Sequence, residues 1–147
     1  MSVQFKQNAD ASCGLQGTDL DDGAFVVVPM QWSAITNTTG AFLTVSGPVM
    51  LRRMIVKGIQ YVNDTTATNA VTATLFKAPS GTALGSGTAL HTGTANLQAT
   101  AATPTTLTLS TTAGALDVAA GSRIGFVISA APGAAGVGSF TVTLAPA

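Results

Sequence analysis

The sequence predicts an all-β chain, a jelly-roll-like two-sheet β-sandwich carrying an extended N-terminal arm. Three observations predict it. Charged residues make up only 8% of the 147 residues, and all six acids are aspartate. Glu, Lys and Arg are the usual formers of exposed helix surface; here Thr, Ser and Gly stand in their place, and Thr favours strands and their turns. Short apolar runs with period-two alternation recur from residue 24 onward, punctuated by Gly, Pro, Ser and Asn.

Taken in order, "AFVVVPM" (24–30) is an apolar run that Pro29 is expected to stop, and "AFLTVSGP" (41–48) follows it. The long "VMLRRMIVKGIQYV" (49–62) alternates imperfectly, which predicts a bulge at Gly58. "AVTATLFK" (70–77) sets Val71, Ala73 and Leu75 against Thr72 and Thr74, and "TTLTLS" (105–110) sets Leu107 and Leu109 against Thr106 and Thr108. "SRIGFVIS" (122–129) points Ile124, Phe126 and Ile128 one way, and "SFTVTLAP" (139–146) does the same with Phe140, Val142 and Leu144. Seven or eight strands with one apolar face each must bury those faces against one another, so residues 24–147 read as one sandwich domain.

Residues 1–23 read differently. They hold Asp10, Asp19, Asp21 and Asp22, four of the six acids, with only Val3, Phe5, Leu15 and Leu20 as apolar anchors. So little apolar area does not offset the conformational entropy of ordering such a segment. The expectation is an arm that is loose or is ordered by something outside its own fold. This beginning lacks the basic and apolar regions of a signal peptide, so synthesis in a cytoplasm is expected. The lone Cys13 excludes an internal disulfide framework.

Several chemistries are disfavoured. Zero net charge provides no global field for nucleic acid or an anionic membrane, and no apolar run reaches the ~20 residues of a membrane span. In "LFKAPSGTALGSGTALHTGT" (75–94), no lysine follows Gly81, Gly85 or Gly87, and Lys77 precedes them. No helical stripe follows either, so these glycines read as turns rather than a phosphate cradle. His91 is the only histidine and has no metal-ligating partner; it reads as a residue bonded to solvent or backbone. "TDLDDG" (18–23) has carboxylates at alternate positions before a glycine, like a calcium loop, but no Glu exists to close it. It reads as a solvated acidic turn. Trp32 reads as core or sheet-edge packing rather than a sugar platform, and Asn37-Thr38-Thr39 and Asn63-Asp64-Thr65 as coincidental glycosylation triplets. Neither an enzyme nor a cofactor or metal site is expected.

The candidate subunit-contact residues are Phe5, Lys6, Asp19, Asp21 and Asp22 in the arm, and Arg52, Arg53 and Lys57 beyond it. The last three are half of all the basic charge and are expected on one strand, protecting a sheet edge, pairing internally, or pairing with a partner's carboxylates. An acidic arm lying across a neighbouring subunit's basic strand would combine the two sets.

The stretches "VTATLFKAPSGTALGSGTALHT", "LDVAAGSRIGFVIS" and "GVGSFTVTLAPA", within residues 50–147, resemble small head proteins of tailed bacteriophages, the capsid decoration or cement proteins. That resemblance implies a virion protein assembled in the host cytoplasm. It would dock on the exterior of an icosahedral shell as a homodimer or homotrimer and bridge subunits of the major capsid protein. A tail, baseplate or fibre-associated sandwich, with a glycan or tail partner, shares the same composition.

Overall fold

A computed structural model of the protein describes residues 25–32, 43–129 and 136–147. Among them are ten antiparallel strands: β1 (Val26–Trp32), β2 (Leu43–Val49), β3 (Met54–Thr65), β4 (Thr72–Ala78), β5 (Thr88–Ala89), β6 (Ala95–Asn96), β7 (Thr105–Thr106), β8 (Asp117–Val118), β9 (Arg123–Ile128) and β10 (Val137–Pro146). Their pairing is nested. β1 pairs with β10, β2 with β9, β3 with β7 and β8, and β4 with β5 and β6. The chain is thus one long hairpin, and further pairs between β10 and β3 and between β9 and β4 roll it into two sheets, ordered β1-β10-β3-β7 and β2-β9-β4-β5. β1 to β4 alternate between the sheets, and β9 and β10 return one to each, which is the jelly roll the composition and spacing predict.

The alternation read from the sequence sets the core. Ile124, Phe126 and Ile128 of β9 face Phe140, Val142 and Leu144 of β10, all fully buried, with Val71, Ala73 and Leu75 beside them. β3 buries Met54 and Val56, then Ile59, Tyr61 and Asn63, so its inward phase slips by one residue. The cause is the expected bulge: Val56 is opposite Leu144 and Gly58 opposite Thr143, which leaves Lys57 as the extra residue.

Two boundaries depart from the sequence expectation. Pro29 does not stop its strand, and β1 continues to Trp32. β1 lies at a sheet edge, where only one side is paired, so a residue without an N–H is tolerated. Secondly, β3 begins at Met54, not at Val49; Arg52 and Arg53 precede it, and only Lys57 of the three basic residues is on the strand. The "TTLTLS" run also contributes less sheet than expected, two residues of β7 plus a single bridge from Leu109 to His91.

An aromatic cluster bolts the sheets together. Trp32 stands edge-on to Phe126 at 6.0 Å and tilted against Phe140 at 5.0 Å. Phe126 and Phe140 are also 5.0 Å apart, and Tyr61 is 5.9 Å from Phe140. Trp32 is core, as the sequence predicts. Its ring lies over Gly138, where a Cβ would overlap the indole and the carbonyl oxygen of Val62.

His91 is buried, and its Nε2 accepts the Leu75 N–H at 3.1 Å. That assigns the neutral tautomer with the proton on Nδ1, which faces the Thr92 carbonyl at 3.3 Å. Burial holds the imidazole below its ordinary pKa of 6.5, against a smaller upward effect of the Thr92 carbonyl. The sequence reading of a backbone-bonded histidine is therefore met, here as part of the ladder that holds β4.

Two outcomes follow from this packing. Gly138→Ala forces the indole or the β3 backbone to move and lowers the unfolding free energy by about 1–3 kcal/mol, read as a fall in urea midpoint followed by Trp32 fluorescence. For His91, the folded pKa is depressed, so its contribution is full above about pH 6.5 and declines as pH falls below that value. Urea midpoints at about pH 7.5 and about pH 5.5 should differ in the wild type. They should converge in His91→Gln, whose amide oxygen accepts the same N–H without titrating.

Candidate subunit-contact surface

The surface begins with an end of the sandwich that the ladders bring together. Val26 at the start of β1 pairs with Leu144, which pairs with Val56 near the start of β3. Val49 at the end of β2 pairs with Arg123 at the start of β9. The Met50 N–H donates to the Ser122 carbonyl at 2.7 Å, and β8 pairs with Met54 and Ile55. The start of β1, the end of β2 and the bend at 51–53 therefore share one end. They also share one side, because β1 and β2 are the corresponding edges of the two sheets and Gly47 lets them meet: a Cβ there would come within 2.6 Å of the Met30 sulfur.

At that corner stand the exposed large apolar side chains of the described residues: Phe25 at 62% exposure, Val26 at 38%, Val27 at 58%, Val49 at 56% and Leu51 at 95%. Their gathering in one place distinguishes them from the scattered apolar residues of any surface. Phe25 and Val27 alternate with the inward Val28 and Met30, so the start of β1 is apolar on both faces. The run "FVVV" is the sequence signal for this, since a strand with one solvated face would alternate apolar with polar. For Leu51, in the bend after Met50, no sequence signal exists.

Arg53 and Lys57 border this corner in different states. The Arg53 guanidinium makes a bidentate pair with Asp117, Nε to Oδ1 at 2.8 Å and a terminal nitrogen to Oδ2 at 2.6 Å. The hydrogen bonds from Arg53 hold the Asp117 carboxyl below the usual carboxylate range and raise the guanidinium pKa in return. Lys77 donates to the carbonyls of Gly114 and Asp117, and Arg123 donates to the Thr82 carbonyl at 2.8 Å. These contacts fasten the loops at 79–83 and 110–122 to the same end of the sandwich. Lys57, in the bulge, is exposed and makes no ion pair among the described residues. Arg52 is half-buried in the bend.

The remaining sequence candidates separate clearly. Phe5, Lys6, Asp19, Asp21, Asp22, Cys13 and the Asn37 triplet lie outside the described residues. The glycine-rich stretch folds as turn and ladder: a turn closed by the Thr82 N–H on the Pro79 carbonyl, Gly81 at a φ of 81°, one 3-10 turn over Leu84–Ser86, and then β5. Asn63 is buried and donates to the carbonyls of Asn96 and Ala99, so its triplet is closed to modification in the folded chain. Among the described residues, no three His, Cys, Asp or Glu gather as metal ligands.

Neither a protein-family model nor a curated protein sequence matches the chain. Among solved structures, it is similar to a chain of the cyanophage Pam1 capsid asymmetric unit, at 20% identity over 100% of this chain and 97% of that one, with a TM-score of 0.49. A chain of the infectious bursal disease virus Gx strain aligns at 17% identity over 86% of this chain, with a TM-score of 0.47. A chain of the infectious bursal disease virus VP2 subviral particle aligns at 18% identity over 91% of this chain, with a TM-score of 0.39. This chain spans 32% and 37% of those two virus chains.

Proposed function

We propose that the protein is a structural component of a virus particle, which docks on the outer surface of an icosahedral shell and stabilises it by bridging neighbouring major capsid subunits. Its action in this reading is mechanical and not catalytic. The observation that carries it is the apolar corner. A jelly-roll body buries its core internally, yet it leaves Phe25, Val27, Val49 and Leu51 exposed around the corner where β1 starts and β2 ends. Such a patch costs solubility unless a partner covers it.

The rest of the chain suits a crowded shell. With zero net charge and a Thr-, Ser- and Gly-rich surface, many copies can sit close together without strong mutual repulsion. Each joint needs only modest affinity, because a symmetric shell repeats it and the contacts add as avidity. The resemblance of the strands between residues 50 and 147 to phage decoration proteins points the same way.

Quantitative mass spectrometry of purified particles tests the reading. The expected copy number is comparable to that of the major shell protein. A handful of copies per particle would assign the chain to a tail or fibre, and absence from particles would overturn a virion role altogether.

A further inference from the structure

We propose that the apolar corner, with Lys57 beside it, is the seat for the acidic N-terminal segment of a second copy of this chain. The inference rests on the shell-docking reading and deepens it by naming the partner at the joint.

Three observations support it. The first is charge. Asp10, Asp19, Asp21 and Asp22 against Lys6 leave residues 1–24 at net −3, and Arg52, Arg53, Lys57, Lys77 and Arg123 against Asp64 and Asp117 leave the remainder at +3. The neutrality of the whole chain thus conceals two complementary parts. The second is position. Val27 pairs with Thr143, and Thr143 with Gly58, so Lys57 sits two strands across the same sheet, about 10 Å away at the usual strand spacing. An extended segment crossing the start of β1 meets apolar side chains first and this ammonium next. The third is chemical match: Val3, Phe5, Leu15 and Leu20 are apolar anchors of the kind the patch lacks, and Asp19, Asp21 and Asp22 are the counter-charges for Lys57.

Edge-to-edge sheet extension is the competing way to join two copies. Pro29 on β1 and Pro48 on β2 oppose it, because proline on an edge strand is a poor template for further pairing. Contact through side chains at the corner avoids that obstacle. Exchange between copies also serves each chain twice, once as arm and once as seat, so a closed symmetric assembly leaves no corner uncovered.

A charge-swap complementation on the full-length chain tests this. One variant carries Asp19→Lys, Asp21→Lys and Asp22→Lys; the other carries Lys57→Glu, at an exposed position. Mass in solution is measured by light scattering at low and at high salt. The wild type should be an oligomer, each variant alone should associate at least about tenfold more weakly, and an equimolar mixture should recover the association. Leu51→Asp should weaken association without lowering Tm by more than about 2 °C. Recovery only when both changes are placed in one chain would mean the segment covers its own corner and would overturn the proposal, as would a monomeric wild type. Particle copy number is measured independently, so a failed swap leaves the virion reading standing, and absence from particles leaves the swap result standing.

Discussion

The contact between Phe126 and Phe140 holds the two sheets to one another, and the rest of the structure depends on it. β9 and β10 each lie beside an edge strand and are paired on both sides, and these rings meet between them at 5.0 Å with no solvent exposure. Burying one such ring is worth about 1.5–3 kcal/mol, and Trp32 and Tyr61 enlarge the cluster from β1 and β3. Both strands come from the last 25 residues of the chain. β1, β2, β3 and β4 therefore have no central partner until the C-terminal end is in place. Pairings this distant in sequence make folding slow compared with chains of local contacts.

The same topology decides where the molecule can be joined to others. β1 and β2 close the corresponding edges of the two sheets, and prolines sit on both. Backbone pairing at these edges is discouraged, whereas Val27 of β1 and Leu51 of the bend hold apolar side chains outward. The corner is tied on several sides, by backbone bonds from Met50 to Ser122 and from Val56 to Leu116 and by the Arg53 side chain on Asp117. A fixed apolar surface loses less entropy on being covered than a mobile one would.

Most of the fold was legible because its inward residues are strictly periodic. Phe140, Val142 and Leu144 could be assigned to the core from alternation alone, and the broken alternation of 49–62 located the bulge beside Gly58. Pro29 misled because a local rule about strand breaking does not know whether a strand will be central or at an edge. The basic residues misled for a related reason: "LRRMIVK" reads as continuous strand, while the tie from Met50 to Ser122 turns the chain before Met54. The proposed contact surface was legible in its charge and in the run "FVVV", and in little else. That Arg53 is claimed by Asp117, 64 residues away, depends on β8 pairing with β3, which no local pattern announces. The apolar corner depends on two strand ends from different sheets meeting in space.

These internal ties set the balance of forces at the corner. Arg53 is already neutralised by Asp117, and Lys77 and Arg123 donate to the distant carbonyls of Gly114, Asp117 and Thr82. The Arg53–Asp117 pair already cancels within the net +3 of residues 25–147, and the carbonyls fix where the Lys77 and Arg123 charges sit. Exposed charge is further screened within about 8 Å at physiological salt. In the proposed joint, charge would orient the partner and set its register, in keeping with what polar complementarity generally contributes. In the proposed joint, holding the partner would fall to Phe25, Val27, Val49 and Leu51, whose contribution salt does not screen, so that joint would persist at ionic strengths where electrostatic attraction has faded.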